Sequence, residues 1–294
     1  MTYNISELFE AIKNSPPYPE TYSGRGIVIS AGGSYLPSAY IAIKSIRACG
    51  CKLPIQVWHL GYQEFPDELR LLFYPLGVEV VDALEVRKIH PIKNLKGWES
   101  KPFSIVYSPF KEVLSLDADN FVLLNPEYLF DYASYKEHGS VFWPDFLSDK
   151  QEYWMIKPGA WELLGLAPQQ GLEIETGQVL INKEKSWRAL WVALHMNANS
   201  DFFYEKCTYG DTDTYTLAWL LCEQTRVQIP YQAKKIENWI RIHYDPSGQE
   251  LFQHSRKWVL PLEQNPDLKS YRFQDMGLIW LQEFASCLSA YSKI

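Results

Sequence analysis

Two aspartates separated by a single residue are the feature of the sequence that points most directly to chemistry. Asp117 and Asp119 lie in EVLSLDADNFVLL, where a run typical of a buried strand ends in acids. Because side chains alternate along a strand, we expect both carboxylates on one face, with Ala118 on the other. Two such charges resist ionising together unless a cation lies between them, and carboxylate oxygens suit Mn²⁺ or Mg²⁺, which also bind phosphate. The pair predicts a site for a divalent cation and a diphosphate.

The same spacing occurs again at Asp211 and Asp213, so spacing alone does not identify a metal site. Asp211 comes directly before a helical pattern, where an aspartate is typical of a helix N-cap. A cap and a contact with a ligand therefore remain alternatives for Asp211. Asp117 and Asp119 differ in context, because the strands of an α/β sheet end at the crevice where ligands bind.

A histidine and a lysine near the C-terminus could complete the site. His254 and Lys257 lie three residues apart in LFQHSRKWVL, in a polar stretch between apolar runs. An imidazole can join oxygen ligands at a metal, and a lysine can neutralise phosphate. The alternative is that His254 makes one ordinary hydrogen bond at the surface or in the core.

The elements that must position these residues alternate between strand and helix in the first half of the chain. Strand and helix patterns follow one another in GIVISAGG, SYLPSAYIAIKSIRACG, LPIQVWHLG, PDELRLLFYPLG and GVEVVDA. This alternation predicts an α/β fold with a doubly wound, mainly parallel sheet flanked by helices. Gly32 and Gly33, at the end of the first strand, would let a ligand approach the backbone, although a tight turn alone would also require glycines.

The remaining patterns complete the prediction of one domain. Lys101 begins a predicted helix, KPFSIVYSPF, which follows a basic loop at 88–100. A cation at the start of a helix is electrostatically disfavoured, so an anionic partner for Lys101 is favoured over a solvated charge.

Residues 1–23 should form a helix over 4–13 and an extended proline-rich arm. Residues 24–294 should form the domain, with a nucleotide-binding part over about 24–130 and a smaller acceptor-binding part over about 131–294. The later patterns predict strands at SVFWPD, VQIPYQ and KWVLPL, a strand entering a helix at GQVLINKEKSW, and helices at TDTYTLAWLLCEQT and MGLIWLQEFASCL, the last packing in the core.

Composition excludes several classes of protein. The 294 residues carry a net charge of −7, which repels nucleic acid. Five cysteines without a paired framework suit a reducing compartment. The N-terminal segment lacks the pattern of a signal peptide and no run has membrane-spanning length, so we expect a cytoplasmic protein without a membrane span. The 11 Trp, 19 Tyr and 14 Phe favour flat walls against a sugar, with an aromatic core as the alternative.

Two long segments carry a family resemblance: GRGIVISAGGSYLPSAYIAIKSIRACGCKLPIQVWHLG and ESKPFSIVYSPFKEVLSLDADNFVLLNPEYLF. They resemble the fungal α-1,3-mannosyltransferase-type family of retaining glycosyltransferases. The later segments IETGQVLINKEKSW and TYGDTDTYTLAWLL are also similar to the glycogenin and bacterial galactosyltransferase group. The resemblance implies the GT-A fold and a metal-dependent glycosyltransferase that uses a nucleotide-sugar donor.

The resemblance also implies roles for individual residues around donor and metal. Those implied to line the nucleotide are Ala31, Gly32, Gly33 and Tyr35. Those implied to hold the diphosphate, Mn²⁺ or sugar are Lys101, Asp117, Asp119, Glu175, Gly177, Asp211, His254 and Lys257. Among them, Asp211, Glu175 and Lys257 are implied to support catalysis, with Lys257 as a phosphate clamp. The sequence differs from the galactosyltransferase group in its shortened pattern, His254-Ser255-Arg256-Lys257 in place of His-x-x-Gly-x-x-Lys.

We therefore expect transfer of a hexose from GDP-mannose or a UDP-hexose to a hydroxyl of a glycan or another acceptor, and the resemblance implies retention of configuration. Two alternatives remain. A sugar-phosphate nucleotidyltransferase shares paired aspartates, but it normally carries an arginine soon after the glycines, where this chain has SYLPSAY. A non-catalytic carbohydrate-binding module would need only the aromatic residues.

Overall fold

The computed structural model describes residues 3–145, 155–237, 240–255, 257 and 274–291. Within these ranges the chain forms an α/β structure in which a large mixed sheet lies between two layers of helices. The helices are α1 (Ser6–Lys13), α2 (Leu36–Ala48), α3 (Asp67–Phe73), α4 (Ala83–Ile89), α5 (Ser100–Tyr107), α6 (Ala133–His138), α7 (Pro158–Leu163), α8 (Lys183–Ala198), α9 (Ser200–Lys206), α10 (Thr212–Leu221) and α11 (Gln274–Tyr291).

The large sheet has the strand order β3-β2-β1-β4-β7-β6-β8. Its strands are β1 (Arg25–Ser30), β2 (Ile55–His59), β3 (Val78–Asp82), β4 (Glu112–Asp117), β6 (Ser140–Pro144), β7 (Ile174–Asn182) and β8 (Val227–Gln228). The first four in chain order pair in parallel, whereas β7 runs against both β4 and β6. The predicted α/β class with a mixed, mainly parallel sheet is confirmed.

The central strands are buried on both faces because their sequences are almost wholly apolar. In β1, Ile27, Val28 and Ile29 have no exposed surface, and alternate residues face opposite layers of helices. One layer contains α2, α3 and α11, and the other contains α1, α5, α8 and α10. Leu281 and Phe284 of α11 lie in the core, which confirms the core packing predicted for the C-terminal helix.

A second, smaller sheet lies at the carboxyl end of β4. It is antiparallel, with the order β5-β11-β10-β9, from β5 (Asn120–Val122), β9 (Lys234–Glu237), β10 (Ile240–Tyr244) and β11 (Glu250–His254). The sequence did not predict β9, β10 or β11. In β11, His254 pairs with Asn120, so the small sheet carries the histidine next to the aspartates.

Three sequence-based expectations differ from the structure. The strand expected to run through EVLSLDADNFVLL stops at Asp117, turns over two residues and resumes as β5. Residues 83–89 form the helix α4, whose N-terminus is capped by the Asp82 side chain. This helix includes residues 88 and 89, which were predicted to begin the basic loop. The helices α7 and α9 were not predicted. The strand predicted for KWVLPL lies, apart from Lys257, outside the described residues.

The N-terminal helix predicted for residues 4–13 is present as α1 and packs on α8. The arm that follows is attached by a hydrogen bond of 2.8 Å from the indole nitrogen of Trp187 to the carbonyl of Pro16. Among the described helices, none combines the length and the apolar character that crossing a bilayer requires.

Candidate active site

The Asp117–Asp119 segment is a sharp turn rather than a continuous strand. The turn is held by Asn120, whose buried side-chain amide donates to the carbonyl oxygen of Gly177 at 2.8 Å and to the side-chain oxygen of Gln178 at 2.5 Å. These two hydrogen bonds tie the start of β5 to β7, directly after the turn at residues 118–119. The prediction that Asp117 and Asp119 share one face of a continuous strand is therefore wrong, although both carboxylates still reach one site.

His254 joins the two aspartates at this turn. Its Nε2 lies 3.2 Å from an oxygen of Asp119 and 3.9 Å from an oxygen of Asp117. One ligand atom from each of the three side chains falls within 4.8 Å of the others. Two carboxylates and an imidazole form a donor set that suits Mn²⁺, and Mg²⁺ through the oxygens, so the residues fit the metal expected from the sequence.

Lys101 links the two pairs of aspartates. From the first turn of α5, its ammonium lies 2.7 Å from one oxygen of Asp117 and 3.5 Å from an oxygen of Asp211. Burial by itself lowers the pKa of Lys101, but the attraction of Asp117 and Asp211 raises it above its usual value. Burial also raises the pKa of Asp117, because Lys101 and His254 offset the cost of burying that charge only in part. The anionic partner expected for Lys101 is, within the chain, this pair of carboxylates.

Asp211 faces the site and does not cap a helix. Although it precedes α10, its side chain makes no capping hydrogen bond and instead accepts one of 3.1 Å from the hydroxyl of Thr176. Asp213 is buried beside Glu173 instead, and burial and that neighbouring acid raise the pKa of Asp213 well above its ordinary value. The two copies of the aspartate spacing are thus structurally different.

Glu175 is the most closely surrounded carboxylate of the site. It is 6% exposed, and its oxygens lie 3.0 Å from Nη1 of Arg241 and 2.8 Å from Nε2 of His243, while Nδ1 of His254 also contacts it. Burial alone would raise the pKa of Glu175, but the charges of His254 and His243 hold it well below its usual range. Gly177 also lies against the His254 ring, near its Nδ1 atom.

Two neighbouring cavities meet at the aspartates. The larger, about 570 Å³, is lined by Ala31, Gly32 and Tyr35, which the resemblance placed around the nucleotide. The smaller, about 290 Å³, is lined by Gly177 and Asp211. Both cavities share the side chains of Trp98, Lys101, Asp117 and His254. A ligand that fills both would pass directly over the metal-ligand set.

The other two predicted residues lie at the edge of the larger cavity. Gly33 begins a short helical turn with a φ of +54°, a left-handed backbone conformation that favours glycine. Lys257 donates to the hydroxyl of Ser34 at 3.0 Å, and its ammonium lies 4.9 Å from the centre of the Tyr35 ring. It is therefore near the cavity that would hold a nucleotide but does not contact the aspartates.

Sequence reasoning missed several residues of the site. Trp98 comes from a loop without a recognisable pattern, and Glu173 lies just before β7. Arg241 and His243 did carry a signal, because IRIHY alternates apolar and polar residues as a strand does. Strand ends and the spacing of acids indicated Asp117 and Asp119, whereas Glu175 and Gly177 were indicated only by the family resemblance.

Comparison with known proteins identifies a matching family. The family described as “Mannosyltransferase putative” matches residues 24–159 and 166–255. The match covers most of the chain and includes both pairs of aspartates and His254.

The chain is similar to named fungal enzymes over part of their length. It is 25% identical to α-1,2-mannosyltransferase MNN22 of Candida albicans, with 94% of this chain and 53% of that protein covered. It is 29% identical to MNN21 of the same organism, over 60% of this chain and 33% of that protein, and 26% identical to MNN5 of Saccharomyces cerevisiae, over 69% and 44%. The chain thus spans about half the length of these relatives, or less. They are named α-1,2 enzymes, so they do not support the α-1,3 linkage of the resemblance drawn from the sequence.

Solved structures share the fold. The apo form of the glycosyltransferase GlyE from Streptococcus pneumoniae aligns over 92% of this chain and 64% of its own, with a TM-score of 0.51 and 14% identity. The apo structure of the bifunctional glycosyltransferase WbbM aligns over 73% and 40%, with a TM-score of 0.51 and 13% identity. At this level of identity the likeness concerns the fold alone, which is the GT-A fold expected from the sequence.

Proposed function

This chain belongs to the mannosyltransferase family whose model it matches, and we propose that it transfers a mannosyl group from a nucleotide-activated mannose to a hydroxyl group of a glycan or another acceptor. The observation that carries the proposal is the convergence of Asp117, Asp119 and His254 at the meeting point of two cavities. The names of the fungal relatives support mannose as the sugar and GDP-mannose as the donor, with a UDP-hexose as the alternative.

The larger cavity is the proposed place for the nucleoside diphosphate. Its walls include the exposed ring of Tyr35 and the indole of Trp98, which offer flat surfaces to a base or ribose. A divalent cation held by the two aspartates and His254 would bind the diphosphate oxygens and stabilise the charge that develops on the leaving group. Lys257, at the rim, brings a further positive charge towards this diphosphate.

The smaller cavity is the proposed place for the transferred sugar and the acceptor hydroxyl. Asp211 is held by Thr176 and Lys101, and its carboxylate is oriented to accept hydrogen bonds from sugar hydroxyls. Asp211 and Glu175 both lie beside cationic side chains, at 3.5 Å from Lys101 and 3.0 Å from Arg241 respectively, so neither carboxylate is free to act as the general base of an inverting enzyme. This pairing supports retention of configuration.

Ligand-induced stabilisation tests the proposal most directly. The wild type should gain thermal stability with GDP or GDP-mannose in the presence of Mn²⁺, and the gain should exceed that with UDP, UDP-glucose or UDP-galactose. Asp119→Ala should lose the Mn²⁺-dependent part, whereas Asp67→Ala, an exposed aspartate in α3, should keep it. Stabilisation by a uridine nucleotide alone would overturn the choice of donor, and no Mn²⁺-dependent stabilisation would overturn the metal site.

Product analysis then tests the reaction class. With GDP-mannose and a mannoside acceptor, we expect GDP and a new α-linked mannoside, detected by NMR of the anomeric proton. Release of GDP without a glycoside product would indicate hydrolysis only. Consumption of pyrophosphate with formation of a sugar phosphate would instead favour the nucleotidyltransferase alternative, and binding without turnover would favour a carbohydrate-binding module.

A further inference from the structure

The surroundings of Glu175 suggest a role other than contact with the substrate. Its carboxylate is buried in β7 and faces three nitrogen groups from the small sheet: Nη1 of Arg241 at 3.0 Å, Nε2 of His243 at 2.8 Å, and Nδ1 of His254. Its Oε1 therefore faces both Arg241 and His254, whereas Oε2 lies 2.8 Å from Nε2 of His243 without a hydrogen bond. A carboxylate held in this way has little freedom to attack a sugar or to take a proton from an acceptor.

The arrangement follows from the pairing of the small sheet. Arg241 and His243 are two residues apart on β10, so their side chains share a face. His254, on β11, pairs directly with Arg241. All three side chains consequently meet Glu175 of β7, and the contact follows from the register of the small sheet.

The two ring nitrogens of His254 face different partners. Nδ1 contacts Glu175, whereas Nε2 lies 3.2 Å from an oxygen of Asp119 and 3.9 Å from an oxygen of Asp117. If Nδ1 carries the proton and donates it to Glu175, the lone pair of Nε2 points at the two aspartates. A carboxylate behind a metal-binding histidine fixes both the tautomer and the orientation of the ring in this manner.

We propose that Glu175 is a positioning residue that holds His254 in the tautomer able to bind a metal through Nε2, and that Arg241 and His243 hold Glu175 in place. This inference rests on the metal site of the proposed function. Glu175, His243 and His254 also lie close enough together to hold an ion themselves. The guanidinium of Arg241, 3.0 Å from Glu175, makes that second site unfavourable for a cation.

Direct Mn²⁺ binding to the full chain without nucleotide, followed by electron paramagnetic resonance, tests the proposal. Glu175→Gln should raise the Kd for Mn²⁺ by about 10- to 100-fold, the usual effect of losing a carboxylate behind a metal ligand. Glu112→Gln makes the same substitution in β4, where the acid pairs with Arg25 at 3.1 Å, and should leave the Kd unchanged. An unchanged Kd in Glu175→Gln together with lost transfer would overturn the proposal and indicate direct catalysis.

A second readout keeps the test decisive if Glu175→Gln folds poorly. Nitrogen-15 NMR of labelled histidine in the wild type loaded with diamagnetic Mg²⁺ should show His254 protonated at Nδ1 alone, and His243→Gln should weaken both this preference and the binding of Mn²⁺. A metal-loaded wild type with His254 protonated at Nε2 would overturn the proposal even if Mn²⁺ binds. If the wild type does not bind Mn²⁺ at all, the metal site of the proposed function fails instead, and this inference fails with it.

Discussion

The imidazole of His254 lies directly against the backbone of Gly177. A Cβ atom built on Gly177 would lie 2.6 Å from Nδ1 and 2.7 Å from Cε1 of that ring, closer than real Cβ atoms come to other atoms. The position requires a glycine for space and not for a left-handed backbone, because its φ lies outside the positive range. Every side chain other than hydrogen would therefore displace the ring from its present position beside Asp117 and Asp119.

Gly177→Ala should therefore weaken the binding of Mn²⁺ by about tenfold or more, since the ring is displaced from its ligand position; overpacking of this kind costs about 1–3 kcal/mol. Mn²⁺ titration followed by electron paramagnetic resonance measures the effect. Gly159→Ala, in α7, meets no atom within 4 Å and serves as the control. Equal affinities in the two variants would contradict the assignment of His254 as a ligand.

The parallel half of the fold could be predicted from the sequence because β1 and β2 are short apolar runs that are each followed by a helical pattern. The same logic located Asp117 and Asp119 at a strand end. It did not reveal the turn between them, because that turn depends on Asn120, whose partners Gly177 and Gln178 come from a distant part of the chain. Local periodicity contains no information about such contacts.

The small sheet was missed for a related reason. Its strands are short, and β5 pairs with a strand more than a hundred residues later. The role proposed for Glu175 depends on Arg241 and His243, which become its neighbours only through that pairing. The resemblance to known transferases identified both Glu175 and Asp211 as site residues. Only their contacts in the structure distinguish Asp211, which faces the cavity, from Glu175, which is proposed to support the metal ligand His254.

Asp211 and Asp82 offer a matched comparison of two aspartates that precede helices. The Asp82 side chain caps α4 by accepting from the amide of Leu84 at 2.8 Å, whereas Asp211 makes no such bond to α10. Asp211→Ala should lower kcat/KM by at least about 100-fold, as losing a preorganised polar group does, with little change in stability. Asp82→Ala should cost about 1 kcal/mol of unfolding free energy and keep activity. Denaturant unfolding measures the stability of the two variants, and initial rates measure their activity. Lost stability with normal activity in Asp211→Ala would restore the helix-cap interpretation of Asp211.

Gly32 should control the shape of the larger cavity. Its backbone is extended, so any residue could adopt it, but an added Cβ would lie 2.3 Å from a carboxylate oxygen and 2.7 Å from the Cβ of Glu64. Gly32→Ala should displace the loop around Glu64 and raise the Kd for the nucleoside diphosphate by roughly tenfold, or about 1.4 kcal/mol. Gly97→Ala, which lines the same cavity without meeting any atom within 4 Å, should bind normally in calorimetry. Similar losses in both variants would show that the contact with Glu64 is unimportant.

Lys183 is a buried lysine whose ionisation should make stability depend on pH. Its amine donates to the carbonyls of Val106 and Ser108 at 3.0 and 2.7 Å, two bonds that a neutral amine can also make. Burial lowers the pKa of Lys183 to about 6. Between about pH 6 and the usual lysine pKa near 10.4, the unfolded chain therefore binds more protons than the folded chain, so the free energy of unfolding should rise with pH.

Comparison of Lys183→Met with the wild type between pH 7 and 9 isolates this contribution. The wild type should gain stability relative to the variant as pH rises, by at most about 1.4 kcal/mol per pH unit, because ionisations common to both proteins cancel in the difference. Denaturant unfolding at each pH measures it. Lys185→Met, which removes an exposed lysine two residues away, should follow the wild type. If the difference between wild type and Lys183→Met stays constant over this range, Lys183 keeps its proton in the folded chain, and its contact with the Tyr22 ring, 3.3 Å from the amine, outweighs the cost of burial.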